Sequence, residues 1–402
     1  MRELTRTFYS YLSLHSLLIG VFPFFLPVYL WNHGFKLGEI SLFIGISGFA
    51  FCAALWVWDR IRRSISLLTL ITISLLLAIN LLLTVFLLEG MNWFGLIIVG
   101  ISYGVYNCFF WTTQRALFFE RVNTSNSGRN YGNLQMFVGL VLQIGILIGG
   151  LLLEKHGLAY VLGFSVIASV IGFIFITKNI GATTSLKEVK PLSFSDIVSF
   201  KDGHSSVLIF LVDGLFLFLE SFFWLISLFL LAHESFVTLG ITVMSLAIIF
   251  GILFYFLKNV IDRLDRWRIY RIAVVLYAFS WLLRANVNEN QSLFWLFLTL
   301  VLITFCTSFF RLAMNKRFYD LARETLNHRY LVLKSYYSQF VIGIVFVAAG
   351  LLIGDIEKSE SLLIPSYWLG AVLAFIFLLY GATYAKAERI QEAADVANNT
   401  TD

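Results

Sequence analysis

Charge is scarce in this chain. Asp, Glu, Lys and Arg together make up 13% of the 402 residues, about half the share in a soluble domain, while 59% are hydrophobic. A molecule bathed wholly in water is thereby excluded, and lipid must be the main solvent. Cysteine is scarce as well. Cys52, Cys108 and Cys306 each sit in an apolar run with no second cysteine or histidine at ligand spacing, so neither a disulfide framework nor a metal site is expected. Period-two alternation is missing from the long apolar stretches, such as Ser66 to Leu88 and Val207 to Leu231, which argues against a barrel. No Gly-x-x-x-x-Gly-Lys-[Ser/Thr] loop, His-Glu-x-x-His pair or Gly-x-Ser-x-Gly turn occurs. An ATP-driven pump and a membrane enzyme therefore have no support, and no cofactor is expected beyond a proton gradient as the energy source.

What remains is apolar helix. Inside lipid every backbone N–H and C=O has to be satisfied within its own segment, and about twenty residues at 1.5 Å rise cross the hydrocarbon core. Apolar runs between polar punctuation predict twelve helices, near 8–31, 38–58, 65–88, 93–117, 131–153, 158–177, 206–231, 236–257, 269–287, 292–313, 330–353 and 362–385. The first run, Phe8 to Trp31, is too long for a signal-peptide core and carries Pro23 and Pro27 in place of a small-residue cleavage site, so it is expected to stay as the first helix.

An even number of spans puts both termini on one side. All but four of the 29 Lys and Arg fall on that side, the exceptions being Lys36, Lys155, Arg284 and Lys358. The positive-inside rule then predicts cytoplasmic termini in a bacterial inner membrane, and it accounts for the net charge of +5 without a nucleic-acid partner. The polar stretch from Thr177 to Ser206 separates six helices from six. The expected organisation is an N-terminal bundle over 1–177, a cytoplasmic linker over 178–205, a C-terminal bundle over 206–386 and a disordered tail over 387–402.

The two halves share a charged turn. Asp59-Arg60-Ile61-Arg62-Arg63 follows the second helix, and Asp262-Arg263-Leu264-Asp265-Arg266 follows the eighth, half a chain later. A turn copied to the same place in both halves indicates two parallel six-helix repeats, a known transporter plan. On these residues the chain resembles the major facilitator superfamily, whose loops after helices two and eight carry Gly-x-x-x-Asp-Arg-x-Gly-Arg-Arg. Asp59, Arg60 and Arg63 match, while Leu55 and Arg62 stand where the family has glycine. The family's antiporter motif in helix five corresponds to Gly132, Val141, Gly145, Ile146, Gly149 and Gly150, with its proline and one glycine missing. The resemblance implies an all-α membrane fold of two pseudo-symmetric six-helix bundles, monomeric, carrying a small molecule by alternating access. Asp59, Arg60, Arg63, Asp262 and Arg263 then become gating residues. Asp59 and Asp262 would face the positive N-terminal end of a neighbouring helix, while the arginines stay at the membrane interface.

A charged group deep in a bilayer costs about 2.5–3.5 kcal/mol on the mildest scale and needs a reason. Asp213 and Glu220 share one face of helix seven, with Trp224 one turn beyond. Desolvation of an unpaired carboxyl favours its protonated form, which makes Glu220 the candidate proton-exchanging or substrate-binding acid and places Asp213 nearer the cytoplasmic mouth. His15, Asn107, Gln143 and Gln339 lie at similar depths among Tyr103, Tyr106, Trp111, Tyr336 and Tyr337. In the family, helices one, four, seven and ten surround the central cavity, so the resemblance implies that His15, Asn107, Glu220 and Arg311 converge. The bland alternative is interhelical glue for the histidine and the amides, and helix-end snorkelling for Arg311, Arg115 and Lys334. The sequence as a whole points to a proton-coupled exporter of a drug-like compound or metabolite. An importer of a polar metabolite, or a receptor or lipid scramblase on the same scaffold, is the alternative.

Overall fold

The structure is a computed structural model that describes residues 2–88, 93–121, 127–177, 190–261, 266–288, 291–324, 328–354 and 359–380. Its helices follow the apolar runs. The first span is α1 (Arg2–Val21) followed by α2 (Leu26–Asn32), and the next five are α3 (Leu37–Ile61), α4 (Leu67–Leu87), α5 (Trp93–Arg121), α6 (Ser127–Lys155) and α7 (Leu158–Thr177). A short α8 (Phe194–Val198) lies in the linker. Span seven is α9 (Ser206–Phe218), a π-helical turn (Leu219–Phe223) and α10 (Trp224–Leu231). Then come α11 (Phe236–Ile261), α12 (Arg266–Asn286), α13 (Leu293–Glu324), α14 (His328–Ile353) and α15 (Leu363–Leu373), the last continued as a 3-10 turn over Ala374–Leu379.

Among the described residues nine of these spans are long and apolar enough to cross a membrane, and Phe236–Ile252 and Leu363–Leu379 are apolar but shorter. The remaining rod, α12, carries Arg266, Arg268, Arg271 and Arg284. Large side chains such as Leu87, Trp93, Ile167, Phe175, Phe294 and Leu352 are exposed on the outer faces, where an acyl chain and not water is the compatible neighbour.

Local chemistry explains the breaks. Pro23 lacks the N–H that a continuous helix needs, so the chain leaves α1 at Phe22–Phe25 and restarts with Pro27 near the N-terminus of α2. Ser66 begins α4 by accepting the Thr69 N–H at 3.1 Å, and the Ser193 hydroxyl begins α8 by accepting the Asp196 N–H at the same distance.

The packing repeats from one half to the other. α3 lies on α14 and α6 on α11, contacts that exchange when every span is advanced by six. Likewise α1 on α6 answers α9 on α14, α3 on α5 answers α11 on α13, and α4 on α7 answers α12 on α15. Glycine permits the closest of these approaches. A Cβ at Gly145 or Gly149 of α6 would run into the α1 backbone at Leu17 or Val21, and one at Gly45 or Gly48 of α3 would meet the α14 backbone at Val347 or Gln339. The ladder read as an antiporter motif therefore seats α1 against α6.

Candidate functional site

The buried charges of the second half gather in one place. Asp213, on α9, is 1% exposed; its Oδ1 accepts from Arg311 Nη1 at 2.5 Å and its Oδ2 from Lys334 Nζ at 3.0 Å. Glu220, on the π-helical turn, accepts through Oε2 from Arg311 Nε at 3.1 Å and Nη2 at 3.0 Å, and through Oε1 from the Tyr277 hydroxyl. Arg311 thus bridges two carboxylates seven residues apart. The Tyr277 ring stacks on Phe310 with centroids 4.0 Å apart, and Lys334 Nζ lies 4.5 Å over the face of Phe318. Two acids and two cations balance, each held by at least one direct partner. That pairing is required, because desolvating an ion costs several kcal/mol unless its partner and hydrogen bonds come with it.

The elements dictate this meeting. α13 runs on to Glu324 instead of ending near 313, so Arg311 falls inside the helix, and α14 begins at His328, which sets Lys334 in its second turn. Arg311 and Lys334 therefore point inward to carboxylates, and the snorkelling alternative is corrected for both. Glu220 shares its carboxylate between Arg311 and Tyr277. Its turn follows an i→i+5 pattern, a form of helix that recurs at functional sites.

Of the four residues expected to converge, Glu220 and Arg311 do; His15 and Asn107 make their polar contacts elsewhere. His15 is fully buried, with Nε2 3.0 Å from Ser74 Oγ of α4 and its ring stacked at 4.4 Å on Phe110 of α5. Asn107 accepts from Trp111 Nε1 at 3.2 Å along its own helix. Tyr103 reaches across the halves, its ring packed edge-to-face with Phe222, on the turn that carries Glu220, with centroids 5.9 Å apart. Gln143 is buried on α6 with an Oε1 that accepts from no described residue, and Gln339 is half-buried on α14. Trp224 is buried beside the cluster, edge-on to Tyr367.

In the charged turn after α3, Asp59 lines a common pocket with His328 and Arg329 of the first turn of α14, and its Oδ2 accepts the Leu192 N–H at 2.8 Å, from the linker segment just ahead of α8. Arg62 is buried and paired with Asp59 Oδ1 at 2.7 Å. Arg60 stacks 3.7 Å over Trp56, and Arg63 is exposed. α8 is tied in turn to α14, through Asp196 to Arg329 at 2.8 Å and through the Tyr337 hydroxyl to the Ile197 carbonyl. Asp262 and Arg263 lie outside the described residues.

Sequence reasoning missed two contributors. Nothing in the sequence sets Tyr277 apart from the other tyrosines, and Arg284 was grouped with the few charges of the opposite face although its side chain is buried between α12 and α13. The interruption of an otherwise apolar run by one arginine was the signal available for Arg284.

The family model described as Major Facilitator Superfamily matches residues 8–331. No curated protein matches the chain. Among solved structures, the nucleoside transporter NupG superposes with a TM-score of 0.64 at 13% identity, and a point mutant of it with 0.66 at 14%; each match covers 94% of this chain and 98% of that one. A bacterial homologue of the iron transporter ferroportin, in an inward-facing state, gives 0.65 at 13% identity over the same shares. At such identities the likeness is one of fold.

Proposed function

Because this chain belongs to the major facilitator superfamily, and so is a secondary transporter of a small molecule, we propose that it moves an organic cargo in exchange or in company with protons, through the Asp213–Glu220–Arg311–Lys334 cluster. The observation that carries this reading is the sharing of one guanidinium between two membrane-embedded carboxylates. Ionisable groups at this depth are costly and mark ion pathways. Protonating Glu220 would release one arm of Arg311 while Asp213 keeps the other, so the charge state of a single acid changes what ties span seven to α12 and α13. An alternating-access carrier needs such a link, since an equilibrium moves only by the difference in binding between its two states.

The Lys and Arg distribution supports cytoplasmic termini in a bacterial inner membrane. Trp224, Tyr103 and Phe222 near the cluster favour an amphipathic cargo over a bare inorganic ion. Reconstituted vesicles with an imposed pH gradient test the coupling. Wild-type flux is expected to follow the gradient, and Glu220→Gln to lose that dependence; a Glu220→Gln carrier that still responds to the gradient like wild type would remove Glu220 from the coupling step.

A further inference from the structure

Above the balanced cluster lies a second rung, built from three of the cluster's four spans and left with an excess of donors. One turn from Glu220 on span seven is Trp224; two turns from Tyr277 on α12 is Arg284; one turn before Arg311 on α13 is Thr307. Arg284 is 3% exposed, donates from Nη1 to Ser280 Oγ at 2.8 Å and from Nη2 to Thr307 Oγ1 at 2.7 Å, and keeps its Nε buried with no acceptor among the described residues. It forms no ion pair with any described residue. Its guanidinium carbon sits 4.3 Å from the Trp281 ring centre and 5.2 Å from that of Trp224. Trp281 Nε1 is likewise buried with no acceptor among the described residues.

The imbalance can be stated as chemistry. The five charged groups on the two rungs are two acids and three cations, and the four on the lower rung neutralise one another. The remaining cation has two neutral hydroxyls and two aromatic faces, which stabilise a guanidinium but leave it with no direct anionic partner, and its Nε–H with no acceptor, among the described residues. Glu220 makes no hydrogen bond or ion pair with Arg284 among the described residues; its oxygens accept from Arg311 and Tyr277. What the rung lacks is an anionic acceptor.

We propose that Arg284 receives a carboxylate or phosphate of the transported molecule, with Trp224 as the apolar wall beside it, so that the cargo is an organic anion. This rests on the transport reading above. It goes beyond that reading in naming the cargo's charge and the residue that binds it. Thr307 is the partly exposed member of the rung, whereas Trp281 is wholly enclosed.

The test is thermal unfolding of the full chain in detergent, titrated with sodium benzoate, phenyl phosphate, benzamide and inorganic phosphate. Ligand that binds only the folded form raises the midpoint with concentration. Benzoate or phenyl phosphate is expected to raise it, and benzamide, the same ring without charge, is not. Arg284→Met should abolish the response. Should that variant fail to fold, Arg284→Lys, which keeps the charge but not the guanidinium fork, should need about tenfold more anion for the same rise. Four results would overturn the proposal: no response of the wild type to either organic anion, an equal response to benzamide, an equal response to inorganic phosphate alone, or wild-type behaviour in the Arg284 variants. No gradient enters this experiment, so its failure leaves proton coupling at Glu220 untouched, and loss of that coupling leaves the binding result standing.

Discussion

Asp213 is the residue on which the cluster's electrostatics turn. It is the partner of both Arg311 and Lys334, so its loss strips Lys334 of its acid and Arg311 of one of two. Removing one member of a buried pair costs about 3–5 kcal/mol, mainly because a desolvated charge is left behind. Asp213→Asn is therefore expected to lower the unfolding midpoint sharply. Adding Lys334→Met should restore part of it, because the orphaned ammonium leaves together with its carboxylate. The double-mutant cycle should show a coupling of at least about 1 kcal/mol; strictly additive losses would mean that the two side chains do not stabilise one another. The carboxylates of this site were legible in the sequence, because a charge inside an apolar run has an energetic cost that needs an explanation. Their partners were not. Arg311 and Lys334 read as helix-end charges because the apolar runs that hold them end near 313 and begin near 330, and nothing in one sequence distinguishes Tyr277 from a tyrosine that merely fills space.

Among elements, the agreement is closest where the signal is length. The expected and observed spans coincide to within a few residues along most of the chain, since a run of twenty apolar residues can do little else in lipid. It fails where a helix outlasts its apolar stretch. α13 continues through Asn315, Lys316, Arg317 and Asp320, a polar series that reads as a loop but carries i to i+4 pairing of its own, Lys316 to Asp320 at 3.3 Å. The π-helical turn at Glu220 was invisible too, because one additional residue in a helical turn leaves no mark on composition. Helix contacts yield a sharper prediction. Gly145 of α6 lies against the α1 backbone, whereas Gly163 of α7 has open space around it. Gly145→Leu is expected to cost about 1–3 kcal/mol through forced separation of α1 and α6, and Gly163→Leu almost nothing. Size-exclusion profiles and unfolding midpoints of the two variants decide the matter; equal behaviour would show that the close approach at Gly145 is not needed.

At the scale of the whole molecule, the linker is what joins the two halves at their basic end. Residues 190–205 are tied to α3 through the Leu192 N–H on Asp59, and to α14 through Asp196 on Arg329. The Asp196 carboxyl is held below the usual carboxylate range, first by the Ser193 backbone N–H and then by the Ser193 hydroxyl, with Arg329 adding to both. A depressed folded value means that this contribution is present above the unfolded value, about 3.9, and is lost as the pH falls through the folded one. Docking of α8 should accordingly be flat across neutral pH and loosen only in acid below about pH 4. Asp59 works by other means. Its removal deprives buried Arg62 of its acid and frees the Leu192 amide in one step, so Asp59→Asn should release the linker at neutral pH. If the linker biases the balance between the two access states, an allosteric coupling of about 1–3 kcal/mol would appear as a 5- to 150-fold change in that equilibrium. Amide hydrogen exchange separates the two events. Faster exchange at Leu192 through Ser199 in Asp59→Asn, spreading to the α3–α14 contact, would make the linker a strap on alternating access. Faster exchange confined to Leu192 itself would reduce it to a local cap with no hold on the halves.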